Sequence, residues 1–184
     1  RNTYRQSVLR RVNETGVGRS TLPVLEALMR LRQACCDPGL LPFPEAEEVM
    51  ESAKLDLLVN TLDKTIPAGH RTLVFSQWTS LLKRVMPRLE KNHWEYLYLD
   101  GRTTKRHELV KQWNQPDGPP VFLISLRAGG AGLNLTGADH VIHLDPWWNP
   151  AVEDQATDRA HRMGQQQAVT VLRMVARDTI EEQI

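Results

Sequence analysis

Pro120-Val-Phe-Leu-Ile-Ser125-Leu-Arg-Ala-Gly-Gly-Ala-Gly-Leu133 is the stretch that decides the fold. Residues 120–125 are apolar without alternation, and a glycine-rich segment stops the run at once. A short continuous apolar run of this kind suits a strand buried on both faces, as in a parallel sheet. The glycines that follow let backbone N–H groups approach a ligand closely. They also suit a plain tight turn, and no Gly-Lys-Ser/Thr phosphate loop occurs anywhere in the chain.

Working outward, four more short apolar runs predict strands at Thr72–Phe75, Glu95–Leu99, Asp139–Leu144 and Val169–Val175. Between them lie helical patterns at Trp78–Lys91, kinked at Pro87, at Thr104–Trp113, with Thr104 as a possible cap, and at Ala151–Arg162. A further helix begins near Thr179. Alternation of strand and helix predicts an α/β fold, a parallel sheet with helices on both faces. Upstream, residues 1–36 read as helical. Their apolar stripe is Leu22, Val24, Leu25, Leu28, Met29 and Leu31, with Arg30 and Arg32 opposite. Pro38, Gly39, Pro42 and Pro44 break that pattern, and Glu45, Glu47, Glu48 and Glu51 suit a solvated linker. Ser52 is placed to cap a helix over Lys54–Lys64 whose buried stripe is Leu55, Leu58, Val59 and Leu62. The expected division is 1–51, a helical segment with an acidic linker, and 52–184, the sheet domain.

The chain has 184 residues, 24% of them charged, and a formal net charge of +1. Bulk charge therefore gives no sign of nucleic-acid binding, and any anion site must come from local clustering. The adjacent Cys35 and Cys36 lack the companions a structural metal site needs, and no pair of the six histidines has ligand spacing. No apolar run is long enough to span a membrane. The chain begins at Arg1, which suggests part of something longer.

Polar motifs follow the predicted strands: Ser76-Gln77, Asp100-Gly101-Arg102, Ser125–Leu133 and Asp145–Pro150. Ligands of open α/β sheets gather at the carboxyl ends of strands, so these motifs converge on one edge. Arg102, Lys105, Arg106, His107 and Lys111 form a basic patch suited to phosphates, or a solvated helix face. Of the two adjacent indoles, Trp147 is expected to pack and Trp148 to face a ligand. In Asp154–Gln165, Arg159 and Arg162 are three apart on the predicted helix, so both guanidiniums could reach one phosphoryl group. Local ion pairs on a solvated helix would use the same residues.

Five stretches in this order carry a resemblance. They are Leu73-Val-Phe-Ser-Gln-Trp, Leu99-Asp-Gly-Arg-Thr, Ser125-Leu-Arg-Ala-Gly-Gly-Ala-Gly-Leu-Asn-Leu-Thr, Asp145-Pro-Trp-Trp-Asn-Pro and Gln155-Ala-Thr-Asp-Arg-Ala-His-Arg-Met-Gly-Gln. They resemble motifs IV, IVa, V, Va and VI of SWI/SNF-type ATPases in helicase superfamily two, over roughly Ser52 to Ile184. Leu31-Arg-Gln-Ala-Cys-Cys-Asp-Pro is similar to the brace-like segment before that lobe.

The resemblance implies the second RecA-like lobe of an ATP-dependent double-stranded-DNA translocase. Its partner would be a first lobe of the same polypeptide, which carries the Walker residues that hold ATP and Mg²⁺. Arg159 and Arg162 would be arginine fingers. Gln155 would lie near the nucleotide, and Gly130, Gly132 and Asn134 would sit where the lobes meet. Ser76, Gln77, Arg102 and Arg127 would line the DNA backbone, with Trp148 near the tracked strand. The fragment alone would be inactive. Trp147 stands where many eukaryotic members have an acidic residue, which suggests a bacterial-type sequence; the Gly101–Trp113 segment, where the family has its large insertion, is compact, which weakens an inference to chromatin remodelling. Such a protein would be cytoplasmic and nucleoid-associated, or nuclear if eukaryotic. The alternative is a non-catalytic nucleic-acid-binding module that keeps the fold. A dinucleotide enzyme is disfavoured by the missing glycine fingerprint after the first strand.

Overall fold

The computed structural model describes residues 17–128, 132–160 and 168–184. Five strands form one sheet: β1 Thr72–Ser76, β2 Tyr96–Leu99, β3 Val121–Ser125, β4 His140–His143 and β5 Thr170–Arg173. Their order is β2-β3-β1-β4-β5, and every pairing is parallel. The strand β1 lies at the centre, with Thr72 in register with Val121 on one side and His140 on the other. The chain therefore passes from one side of β1 to the other after β3, and the crevice of the sheet opens there.

The helices are α1 Val17–Cys36, α2 Pro44–Glu47, α3 Ala53–Thr65, α4 Thr79–Lys91, α5 Arg106–Trp113 and α6 Pro150–Thr157. Alternation along the strands fills two cores. Leu73, Phe75, Phe122, Ile124 and Val141 face one side, where they meet Trp113 of α5 and Ala156 of α6. Val74, Val121, Leu123 and Ile142 face the other, where they meet Leu55, Leu58 and Leu62 of α3 and Leu81, Leu82, Val85 and Leu89 of α4. Each such leucine contributes roughly 1.5–3 kcal/mol by leaving water. A RecA-like fold, with helices on both faces of a parallel sheet and an N-terminal helix, is borne out. Among the described residues no helix is long and apolar enough to cross a membrane.

Local chemistry explains the boundaries. Ser52 caps α3 by accepting from the Leu55 N–H. Pro87 sits inside α4, as expected. Thr104 does not cap α5, which starts at Arg106 without a side-chain cap. The helix α6 stops at Thr157, short of the predicted end: the Arg159 and Ala160 N–H groups turn to the carbonyls three residues back, and the Leu135 N–H takes the Arg159 carbonyl at 3.0 Å. Only the short 3₁₀ turn Ile180–Gln183, capped by Thr179, stands where a further helix was expected.

The segment after α1 is more than a solvated linker. Asp37 is buried, caps the 3₁₀ turn Pro38–Leu40 and pairs with Arg84 at 3.0 Å. The helix α1 is rotated from its predicted face, with Val24, Leu28 and Leu31 half-buried. Leu22 is 80% exposed and Leu25 and Met29 are exposed too, whereas Arg32 and Gln33 are buried.

Candidate functional site

The carboxyl rim is built around Asp145. This carboxylate, fully buried just after β4, accepts the Ser76 hydroxyl at 2.5 Å and the Gln77 N–H at 3.3 Å. The Ser76 Oγ in turn accepts the Trp78 N–H at 2.9 Å. Ser76 is thus an interior residue that fixes the turn after β1. Its hydroxyl does not face solvent, so the expectation that it lines a DNA backbone gives way to a positioning role. Gln77 is half-buried beside it.

After β2, Asp100 accepts from the Arg102 N–H (2.9 Å), the Tyr98 hydroxyl (2.9 Å) and the Thr103 hydroxyl (3.2 Å). That turn presents Arg102 to solvent. Arg106 ties it to the next loop, donating to the carbonyls of Thr103, Gly101 and Ala128. Arg106 is therefore structural glue, whereas Arg102 and Arg127 are exposed cations. After β3, Gly132 has φ of +39°, a left-handed conformation in which glycine is favoured. Asn134 is exposed, and its carbonyl accepts from Asn114 at 2.8 Å.

The two indoles differ in exposure. Trp147 packs against the core and donates its backbone N–H to Glu153 at 2.8 Å, while Trp148 is 54% exposed. Glu153 is braced by Arg173 of β5 at 2.7 Å, and Asn149 caps α6. Gln155 is exposed on α6. Arg159 is only 3% exposed and donates through Nε to the Gln155 carbonyl at 3.3 Å, across the end of the helix. It lies in the turn after α6, so the helix-face pairing predicted for the two arginines does not apply to it. Arg162 and Gly130 lie outside the described residues.

Two buried groups set opposing pH responses. Burial pushes the Asp145 carboxyl up to about 6, against its hydrogen bonds from Ser76 and Gln77. Burial pulls His143 down to about 4; its Nε2 lies 3.1 Å from the Thr157 hydroxyl. Asp145 holds more protons folded than unfolded between its ordinary value of 3.8 and about 6. Its contribution to stability is full below that window and lost as pH rises through it. His143 holds fewer protons folded than unfolded between about 4 and 6.5. Its contribution is full above that window and lost as pH falls. The Asp145→Asn variant should therefore unmask His143, with stability rising more steeply with pH between 4 and 6.5 than in the parent. Moving the carboxyl from 3.8 to about 6 corresponds to about 3 kcal/mol across that window. Urea unfolding at several pH values measures this, and parallel profiles would rule out the raised carboxyl.

The opposite edge holds a group that sequence spacing could not reveal. His70, Asp139 and His140 place three ligand-type atoms within 4.8 Å of one another. Asp139 accepts from His70 at 2.8 Å, His140 at 2.9 Å and the Arg71 N–H at 3.0 Å. Three donors satisfy this carboxylate and join the starts of β1 and β4, which accounts for the group without an ion. A separate cavity of about 440 Å³, lined by Cys35, Cys36, Ser52, Lys54, Met174 and Arg177, contains none of the predicted site residues. At the rim, Asp100 and Asp145 are both committed to internal donors, so neither is poised to take Mg²⁺.

A parallel sheet with helices on both faces, and with Arg102, Arg127 and Trp148 exposed after β2, β3 and β4, is a RecA-like lobe. The chain belongs to the helicase conserved C-terminal domain family, whose model matches residues 53–164. It is 37% identical over 169 residues to an uncharacterised ATP-dependent helicase of Mycoplasma pneumoniae, covering 90% of this chain and 16% of that protein. It is 43% identical over 168 residues to the DNA repair protein RAD5B of Arabidopsis thaliana, covering 88% of this chain and 13% of that protein. Among solved structures, the C-terminal part of the Fun30 ATPase domain is similar, with a TM-score of 0.68 and 36% identity. That match covers 73% of this chain and 44% of the other. The chain thus spans a small fraction of the length of these curated relatives, which lie in both bacteria and plants.

Proposed function

We propose that this chain is the second lobe of an ATP-dependent translocase on double-stranded DNA, joined in one polypeptide to a first lobe that binds ATP and Mg²⁺. The observation that carries the proposal is the rim itself: Arg102, Arg127 and Trp148 are exposed at the carboxyl ends of β2, β3 and β4. Guanidiniums there contact phosphates without reading sequence, which suits a motor that moves along any duplex. Gln155, Arg159 and Arg162 serve the nucleotide, and Gly130, Gly132 and Asn134 serve the junction between lobes. Closing the lobes would bring an arginine finger to the γ-phosphate, so hydrolysis is gated by that closure. The protein works at the chromosome, in the nucleoid or, in a eukaryote, the nucleus.

Two measurements test the proposal. The 184-residue chain alone should show negligible ATP hydrolysis, because Walker residues are absent from its sequence. Its duplex affinity should fall with salt, and Arg102→Ala and Arg127→Ala should each reduce the log–log slope by about 1. A slope near zero in the parent chain would remove the DNA role of this rim. An upstream sequence without Gly-Lys-Ser/Thr would favour a non-catalytic binding module.

A further inference from the structure

We propose that Arg32 is the positioning residue for Trp148: a guanidinium carried by α1, outside the sheet, sets the indole that the lobe offers to the duplex. The proposal rests on the assignment of Trp148 as a duplex contact.

Arg32 is 6% exposed, although its place in the sequence suggested a solvent-facing residue. Burying a guanidinium is unfavourable unless its partners are concentrated around it. Here its hydrogen-bond and ring partners belong to one short loop, 114 positions away in sequence at its Pro146, and Glu181 adds negative charge from elsewhere. Nη2 donates to the Pro146 carbonyl at 2.7 Å. The guanidinium carbon lies 5.0 Å from the centroid of the Trp148 ring. The charge also faces the carboxylate of Asp145. Trp147, in between, is anchored separately by Glu153 and the core. Arg32 is thus the α1 side chain that bears directly on the Trp148 ring.

Only a planar guanidinium donates in its plane to a carbonyl while laying its face on a ring; an ammonium has no such face. Ordering the indole in advance removes part of the entropy cost of binding. A pre-ordered side chain of this size changes affinity about 3- to 10-fold.

The test uses the full-length polypeptide and reads the duplex concentration that half-maximally stimulates ATP hydrolysis. Arg32→Ala should raise that concentration about 3- to 10-fold while turnover at saturating duplex changes far less. Arg32→Lys should fail to restore it, whereas a residue that merely neutralised Asp145 would be rescued by lysine. Trp148→Ala should raise it at least as much, and the Arg32→Ala/Trp148→Ala double variant should be no worse than Trp148→Ala alone. In the 184-residue chain, the Trp148 indole N–H resonance, assigned by its loss in Trp148→Phe, should shift in Arg32→Ala and in Arg32→Lys. Additive effects in the double variant, rescue by lysine, or an unmoved resonance would overturn the positioning role. If Trp148→Ala leaves the duplex dependence unchanged while the resonance still shifts in Arg32→Ala, the duplex role of Trp148 fails instead, and with it the functional use of the clamp.

Discussion

Alanine at position 162 of the full-length polypeptide is expected to lower duplex-stimulated ATP turnover by about 10³–10⁵-fold, with ATP affinity changed only a few-fold. A finger arginine meets charge that builds on the γ-phosphoryl group during transfer, so its loss appears in kcat far more than in ground-state binding. Arg159 should behave differently. Its side chain is enclosed within this lobe and donates to the Gln155 carbonyl. Arg159→Ala should therefore also lower the stability of the lobe, by about 1–3 kcal/mol. Single-turnover hydrolysis, nucleotide titration and thermal unfolding of each variant separate the two cases. Normal turnover in Arg162→Ala would end its assignment as a finger.

The central strands were legible because a parallel sheet covered on both faces leaves an unbroken apolar run, as at Val121–Ser125, where all five residues are buried. The helices α3 and α4 were legible because their leucine stripes recur at helical spacing and a serine precedes one of them. What escaped was direction. The stripe on α1 is visible in the sequence, but which side of a helix meets the sheet depends on partners far away. Arg32 faces inward because Asp145, Pro146 and Trp148 wait there. Ser76 looked like a polar rim residue, yet it ends a strand buried on both faces and serves Asp145, 69 residues on. The end of α6 was missed too: the chain tightens at Arg159 and Ala160, and Leu135 takes the Arg159 carbonyl. For Arg32 and Ser76 a long-range hydrogen bond overrides the local preference. The rim as a whole was legible because strand order alone brings its loops together.

Replacing Glu181 by alanine should cost about 3–5 kcal/mol of stability and lower the melting temperature of the chain by roughly 6–20 °C. Lys54 and Glu181 are 5% and 1% exposed at their side chains, and the Lys54 Nζ lies 2.8 and 2.7 Å from the two carboxylate oxygens. The same carboxylate accepts the Ala176 N–H at 2.8 Å and the Cys36 thiol at 3.3 Å. One side chain thus gathers the start of α3, the end of α1 and the segment after β5. Alanine would leave the ammonium with the Met174 carbonyl at 3.2 Å and little else to offset its burial. The adjacent cavity of about 440 Å³, which Lys54 itself lines, gives water a route to that charge and favours the lower half of the range. Removing both charges, in Lys54→Met/Glu181→Ala, should recover most of the loss, because no unpaired ion is then left inside. By contrast, Glu108→Ala, which breaks the exposed pair with Lys105, should change stability by less than about 1 kcal/mol. Urea unfolding of the three variants decides the matter, and a loss below about 1 kcal/mol in Glu181→Ala would mean the pair is worth no more than a surface contact. The consequence reaches the rim, because Cys36 is held by the carboxylate that would be lost and Arg32 lies one turn before it on α1. A lobe that loosens there should lose its hold on Trp148 before the sheet itself unfolds.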